Sequence, residues 1–190
     1  MSSPDAIRRF TPCLLTLSRL FLLPVLLWHF QRGHFQFAIC LYLLAIFTDI
    51  ADGYLARHWH TVTYAGILLD PIVDKLFLCS AIGFFTWHKQ LPLFFLALTG
   101  FRFLGQIFLF MWVRWRKKCH YPYRPHFLPK LSAFTCYALI LLLLIRDLYP
   151  EVLWMDTLKL GLLWSCTGLE SVILLIFVPD VLRFLWQLPK

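Results

Sequence analysis

The chain alternates between long apolar runs and short polar joints. Six runs stand out, approximately Cys13–Phe30, Phe35–Ile50, Gly66–Trp87, Leu91–Val113, Leu131–Ile145 and Leu158–Val178. The joints are Gln31-Arg32-Gly33, a polar turn after Arg57, Lys89-Gln90, the basic stretch Arg114–Lys130, and Asp147 to Asp156. A helix needs about 20 apolar residues to cross a bilayer core of about 30 Å. The pattern therefore predicts an all-α, polytopic membrane protein with six transmembrane helices, whose short connections make neighbouring spans alternate in direction. No linker is long enough to separate domains and no internal repeat appears, so residues 1–190 read as a single membrane domain.

Composition narrows the class. Of the 190 residues, 60% are hydrophobic and 15% charged, against about 45–50% and 25% in soluble domains. This excludes a disordered chain, an ordinary cytosolic enzyme and a disulfide-stapled module. The six cysteines have no C-x-x-C spacing and mostly lie inside apolar runs, so they read as reduced, buried thiols. Arg8 and Arg9 precede a first run that is long, holds Arg19 and lacks a small-residue cleavage site, which predicts a retained span rather than a signal peptide.

The net charge of +8 raises the question of nucleic acid. With no aromatic-basic RNA motif, zinc spacing or basic helix outside the apolar runs, no nucleic-acid partner is expected. The charges follow membrane topology instead. With the N-terminus inside, the cytoplasmic segments hold Arg8, Arg9, Arg57, Arg114, Arg116, Lys117, Lys118, Arg124, Lys130, Arg183 and Lys190, and the other side only Arg32, Lys89, Arg146 and Lys159. Lys and Arg favour the inner face, so both termini are expected in the cytoplasm. The expected location is a bacterial inner (cytoplasmic) membrane. Trp28, Trp59, Trp87, Trp115, Trp154 and Trp186 fall near span ends and read as interface anchors.

Candidate chemistry concentrates in one stretch. Four of the ten acidic residues lie in Asp49-Ile50-Ala51-Asp52-Gly53-Tyr54-Leu55-Ala56-Arg57 and Gly66-Ile67-Leu68-Leu69-Asp70-Pro71-Ile72-Val73-Asp74-Lys75. An ionised group inside a membrane helix costs at least about 2.5–3.5 kcal/mol, so something must offset four carboxylates. Asp49 and Asp52 share one face of the second helix, and Asp70 and Asp74 one face of the third. Three fates are open: binding hard divalent cations, an ion network with Arg57 and Lys75, or a proton relay. Two basic residues cannot neutralise four acids, which argues for added cations. Two metals about 3.5–4 Å apart would clamp a diphosphate. Gly53, Ala56 and Gly66 remove bulk where a ligand would approach the backbone.

The string Asp49-x2-Asp52-Gly53-x2-Ala56-Arg57-x8-Gly66-x3-Asp70-x3-Asp74 resembles, at all eight fixed positions, the signature of the CDP-alcohol phosphotransferase family. The resemblance implies a six-helix membrane enzyme, usually a homodimer, that moves a phosphoalcohol from a CDP-linked donor to an acceptor hydroxyl and releases CMP. It further implies that Asp49, Asp52, Asp70 and Asp74 hold two divalent cations (Mg²⁺ or Mn²⁺), and that Asp74 takes the acceptor's proton. Gly53, Ala56, Arg57 and Gly66 would line the CDP site, which would face the cytoplasm.

Membrane placement favours CDP-diacylglycerol as donor. Pro12-Cys13-Leu14-Leu15-Thr16-Leu17-Ser18-Arg19 and Asp70-Pro71-Ile72-Val73-Asp74-Lys75 resemble the branch with glycerol-phosphate acceptors, which takes in phosphatidylglycerophosphate synthases and eukaryotic-type cardiolipin synthases. Phe103 stands where that branch has an acid after its arginine. Arg19, Arg102 and Lys130 are the expected acceptor-binding cations, with glycerol 3-phosphate as acceptor and phosphatidylglycerol or another alcohol such as inositol phosphate as alternatives. The Arg114–Lys118 run reads as topology and headgroup contact. Glu170 is expected to pair with Arg19 or Arg102. His58 and His60 read as interfacial side chains. The rival class is a transporter or scaffold. A transporter should carry its acids near midplane in repeated halves, and here they occur once, at one edge.

Overall fold

The computed structural model describes residues 18–58, 64–115 and 127–186, and of these the side chains outside 52–58, 64–71, 109–115, 177–178 and 180–186. Six helices account for most of them: α1 (18–31), α2 (Phe35–His58), α3 (Tyr64–Trp87), α4 (Leu93–Trp115), α5 (Phe127–Leu148) and α6 (Trp154–Trp186). Among the described residues there is no strand.

Several helices overrun their apolar runs, by eight residues at the ends of both α2 and α6, and α2 carries Asp49 to Arg57 on one continuous helix. Helix propagation gains a hydrogen bond per residue whatever the side chain, so polarity alone does not stop it. Turn geometry does. At the end of α1 the amides of Gly33 and His34 donate to the carbonyls of Phe30 and His29, with Gly33 at φ 78°. At the end of α3, Lys89 and Gln90 donate to Thr86 and Phe85, with Lys89 at φ 58°. Both are left-handed caps that satisfy the last carbonyls. Trp87, Trp115 and Trp186 are the last residues of their helices and Trp154 the first of its own, while Trp59 lies outside the described residues.

Among the described residues, α5 and the Trp154–Ile176 part of α6 are long and apolar enough to cross a membrane, and Phe35–Ala51 and Leu93–Phe108 are shorter apolar stretches. Charges interrupt the rest: Asp49, Asp52 and Arg57 in α2, and Asp70, Asp74 and Lys75 in α3. Large apolar side chains face outward on every helix, among them Phe21, Phe47, Leu76, Phe101, Phe134 and Trp164. Residues 1–17 and 187–190 lie outside the described set, and with them the expectation about which side the termini occupy.

The chain divides into two compact units, one running to Phe84 and including Leu141–Val152, the other formed by Phe85–Ile140 and the chain from Leu153. In the first unit, α1 buries Arg19, Leu23, Leu26 and Phe30, a stripe at i, i+4, i+7, i+11. In α2 the buried stripe is Ala38, Tyr42 and Ala45, and in α3 it includes Val73, Phe77, Leu78 and Ala81. Tyr42 and Phe77 stack at 6.2 Å between centroids, and Phe30 meets Phe84 edge-on at 5.5 Å. In the second unit α4 packs on α6. Its buried stripes are Phe95, Thr99, Arg102 and Phe103, then Ser132, Cys136, Leu139 and Ile140, then Leu163, Cys166, Thr167 and Glu170. The hydroxyls of Thr99 and Thr167 donate to carbonyls one turn back, which leaves them satisfied in apolar surroundings.

The expected burial of the cysteines holds for Cys136 and Cys166 but not for Cys40, which is exposed. It lies on the outward face of α2 with Phe37, Leu43, Leu44 and Phe47. An apolar run marks a residue as membrane-compatible without saying whether it faces protein or lipid.

Candidate functional site

The stripes on α1, α2 and α3 each lead to a charge. Arg19 lies one turn before Leu23, Asp49 one turn after Ala45, and Asp74 one turn before Leu78. Gly33 turns the chain so that α2 runs back along α1. Asp49 lies nine residues before the end of α2 and Asp74 ten after the start of α3, so both sit at similar depth when the chain returns.

They meet. Arg19 Nη1 is 2.5 Å from Asp49 Oδ1 and bonds Asp74 Oδ1 as well. One guanidinium nitrogen thus bridges carboxylates of two helices. Arg19 is 3% exposed and the two carboxylates 38% and 36%. The cation reaches them from the buried side, and the acids keep an open side. Two anionic oxygen donors already gathered on one positive centre have the chemistry of a hard divalent-cation site, so these residues fit such an ion. The side chains of Asp52 and Asp70 lie outside the described ones, and among the described residues there is no cluster of three or more acidic, His or Cys side chains.

The other expected site residues are located by their helices. Asp52, Gly53, Ala56 and Arg57 fall on the last two turns of α2, and Gly66 and Asp70 on the first two of α3. Their side chains are not among those described. His58 ends α2, and His60 lies outside the described residues. Lys130 is exposed on the first turn of α5.

Arg102 lies in the second unit, 2% exposed, with its Nε in an ion pair with Glu170 Oε2. Its Nη2 is 3.5 Å from Ser132 Oγ, and Ser132 donates to Glu170 Oε1. Cys136 Sγ lies 4.0 Å from the same oxygen. Of the two partners expected for Glu170, the structure selects Arg102, and Arg19 goes to the aspartates. Sequence reasoning missed Ser132, which a lone serine in an apolar run does not reveal. It also missed the link from Arg19 to Asp49 and Asp74, although Arg19 continues the stripe Leu23, Leu26, Phe30 and so had to face another helix.

A family model for CDP-alcohol phosphatidyltransferase matches residues 9–175. The chain is 33% identical over 143 residues, 72% of its length, to a cardiolipin synthase (CMP-forming) of Streptomyces coelicolor, covering 65% of that protein. It is 28% identical over 84% of its length to the cardiolipin synthase (CMP-forming) of Rattus norvegicus, covering 57% of it. To a CDP-diacylglycerol–glycerol-3-phosphate 3-phosphatidyltransferase of Aquifex aeolicus it is 35% identical over 47% of its length, covering 52% of that protein. The matched region thus spans less than two thirds of each of these relatives.

Proposed function

Because the chain belongs to the CDP-alcohol phosphatidyltransferase family, we propose that it transfers a phosphatidyl group from CDP-diacylglycerol to the hydroxyl of glycerol 3-phosphate and releases CMP. The observation that carries this reading is the convergence of Asp49 and Asp74 on one cation between helices. The remaining signature residues follow or precede them on the same two helices.

In this reading Asp49, Asp52, Asp70 and Asp74 hold two divalent cations, Mg²⁺ or Mn²⁺, which when bound neutralise charge on the diphosphate. Gly53, Ala56 and Gly66 admit the cytidine diphosphate close to the backbone, and Arg57 pairs with its phosphates. The acceptor oxygen forms a bond to the phosphorus bearing diacylglycerol while the bond from that phosphorus to CMP breaks. Asp74 takes the hydroxyl proton, and CMP leaves with the bonding electrons. Phosphoryl transfer asks for positioning and charge neutralisation more than for covalent help. Of the three cations expected to bind the acceptor's phosphate, Arg19 is the one beside the aspartates, and Arg102 is held by Glu170. The fold is proposed to cross a bacterial cytoplasmic membrane six times with both termini and the site on the cytoplasmic side, and to work as a homodimer.

A second acceptor has specific support. The two matches that extend over 72% and 84% of the chain are to proteins named cardiolipin synthase, which favours phosphatidylglycerol. Both acceptors present a glycerol hydroxyl beside a phosphate, so the chemistry is unchanged. The test is CMP release from CDP-diacylglycerol by the purified protein in detergent with Mg²⁺ or Mn²⁺, in the presence of glycerol 3-phosphate, phosphatidylglycerol or neither. Release that depends on one of them assigns the acceptor. Release with other alcohols alone overturns the acceptor, and no release with any alcohol from a folded protein overturns the enzyme in favour of a scaffold.

A further inference from the structure

We infer that Arg19 holds the place of a divalent cation between Asp49 and Asp74, so that metal binding and the Arg19 bridge exclude each other at that point. The inference rests on the proposed metal role of the aspartates and adds a function for a residue of α1 toward it.

Three observations carry it. One nitrogen, Nη1, touches Oδ1 of both aspartates. A guanidinium has five donors on a planar fork and ordinarily meets two carboxylates with different nitrogens. A single nitrogen shared by two carboxylate oxygens from two helices sits where a bridging ion would sit. The second is exposure: Arg19 comes from the buried side, at 3%, whereas the carboxylates are 38% and 36% exposed. A cation therefore approaches from the open side toward oxygens already drawn together, at the point the guanidinium nitrogen occupies. The third is charge. Asp49, Asp52, Asp70 and Asp74 carry four negative charges, which two divalent cations cancel. A guanidinium and a divalent cation on the same two carboxylate oxygens of Asp49 and Asp74 are like charges in close contact, and they repel.

The guanidinium is then released from Asp49 and Asp74, and the phosphate of an incoming substrate is of the right chemistry to take it. Arg19 would thus keep the aspartates gathered until metal enters, and afterwards offer its guanidinium to a phosphate. It is a positioning residue whose charge is handed from protein to substrate, and it orders the two events: metal first, then the anion.

The test measures Mn²⁺ binding by the full chain in detergent, using the electron paramagnetic resonance of free Mn²⁺, for wild type, Arg19→Gln and Arg19→Lys. Competition predicts that Arg19→Gln binds Mn²⁺ more tightly, on the order of tenfold, within the usual range of coupling between two ligands. It also predicts that Arg19→Gln has a lower melting temperature without metal and a larger rise when Mn²⁺ is added. Arg19→Lys keeps the charge with a smaller head and should fall between the two. It decides the matter alone if the glutamine variant does not fold. Equal or weaker Mn²⁺ binding by the variants, with Mn²⁺ still bound by wild type, overturns the inference and leaves the metal reading standing. No Mn²⁺ bound by any of the three overturns the metal reading and the inference with it.

Discussion

Glu170 on α6 and Arg102 on α4 form an ion pair in which both side chains are almost wholly buried, at 0% and 2% exposure, with Ser132 of α5 bonded to the same carboxylate. Three helices of the second unit are tied by one polar cluster inside an otherwise apolar interface. Removing one partner leaves a buried charge without its counter-ion, which costs about 3–5 kcal/mol, whereas replacing both by apolar groups can be neutral or stabilising. Glu170→Ala should therefore lower the thermal stability of the protein in detergent sharply. The double variant Glu170→Leu with Arg102→Met should recover most of it.

Asp74 is asked to do more than hold charge. Loss of a positioned general base lowers rates by about 10²–10⁴-fold. Asp74→Asn preserves shape and removes the base, so CMP release should fall by that order while the protein stays folded. Asp49→Asn, which removes a ligand and not the base, should be partly rescued by raising the Mn²⁺ concentration. Dose-response curves of CMP release against Mn²⁺ for the two variants would separate these roles.

Chelation gives a direct test of the aspartates' proposed partner. Treatment with EDTA should abolish CMP release, and added Mg²⁺ or Mn²⁺ should restore it. These ions take oxygen ligands, so the carboxylates need no assistance from His or Cys. Activity that survives exhaustive chelation would remove the metal from the mechanism.

Lys89 closes α3 in a left-handed conformation, φ 58°, that a side chain resists. The left-handed region costs a non-glycine residue roughly 1–2 kcal/mol, part of which glycine returns through its freer unfolded chain. Lys89→Gly should stabilise the protein by up to about 1 kcal/mol, and Lys89→Ile, β-branched at the same φ, should destabilise it by a similar amount. Melting temperatures of the two variants should move in opposite directions.

The helices were legible because each is a long apolar run, and only their ends were misjudged. The run from Phe35 appeared to stop at Ile50, where polar residues begin, yet the backbone continues helical to His58. The signature Asp49 to Asp74 was legible because its spacing is rigid. Arg19 and Arg102 were visible as charges in apolar runs, but their partners were not. Either could have met Glu170, and only packing decides which helix face lies opposite which.

What the sequence determined by itself is local and periodic: where helices form, which turns close them, which family the chain joins, and which residues carry charge into apolar surroundings. Tertiary structure decided the pairings. Arg19 reaches Asp49 and Asp74, 30 and 55 residues away, because α1, α2 and α3 bury stripes that each extend to a charge at the same level. Arg102 reaches Glu170 and Ser132 because the buried stripes of α4, α5 and α6 bring these three polar groups together. Helical periodicity assigns a residue to a face. Which faces meet depends on how all the side chains of a bundle pack at once, and that is fixed only when the helices come together.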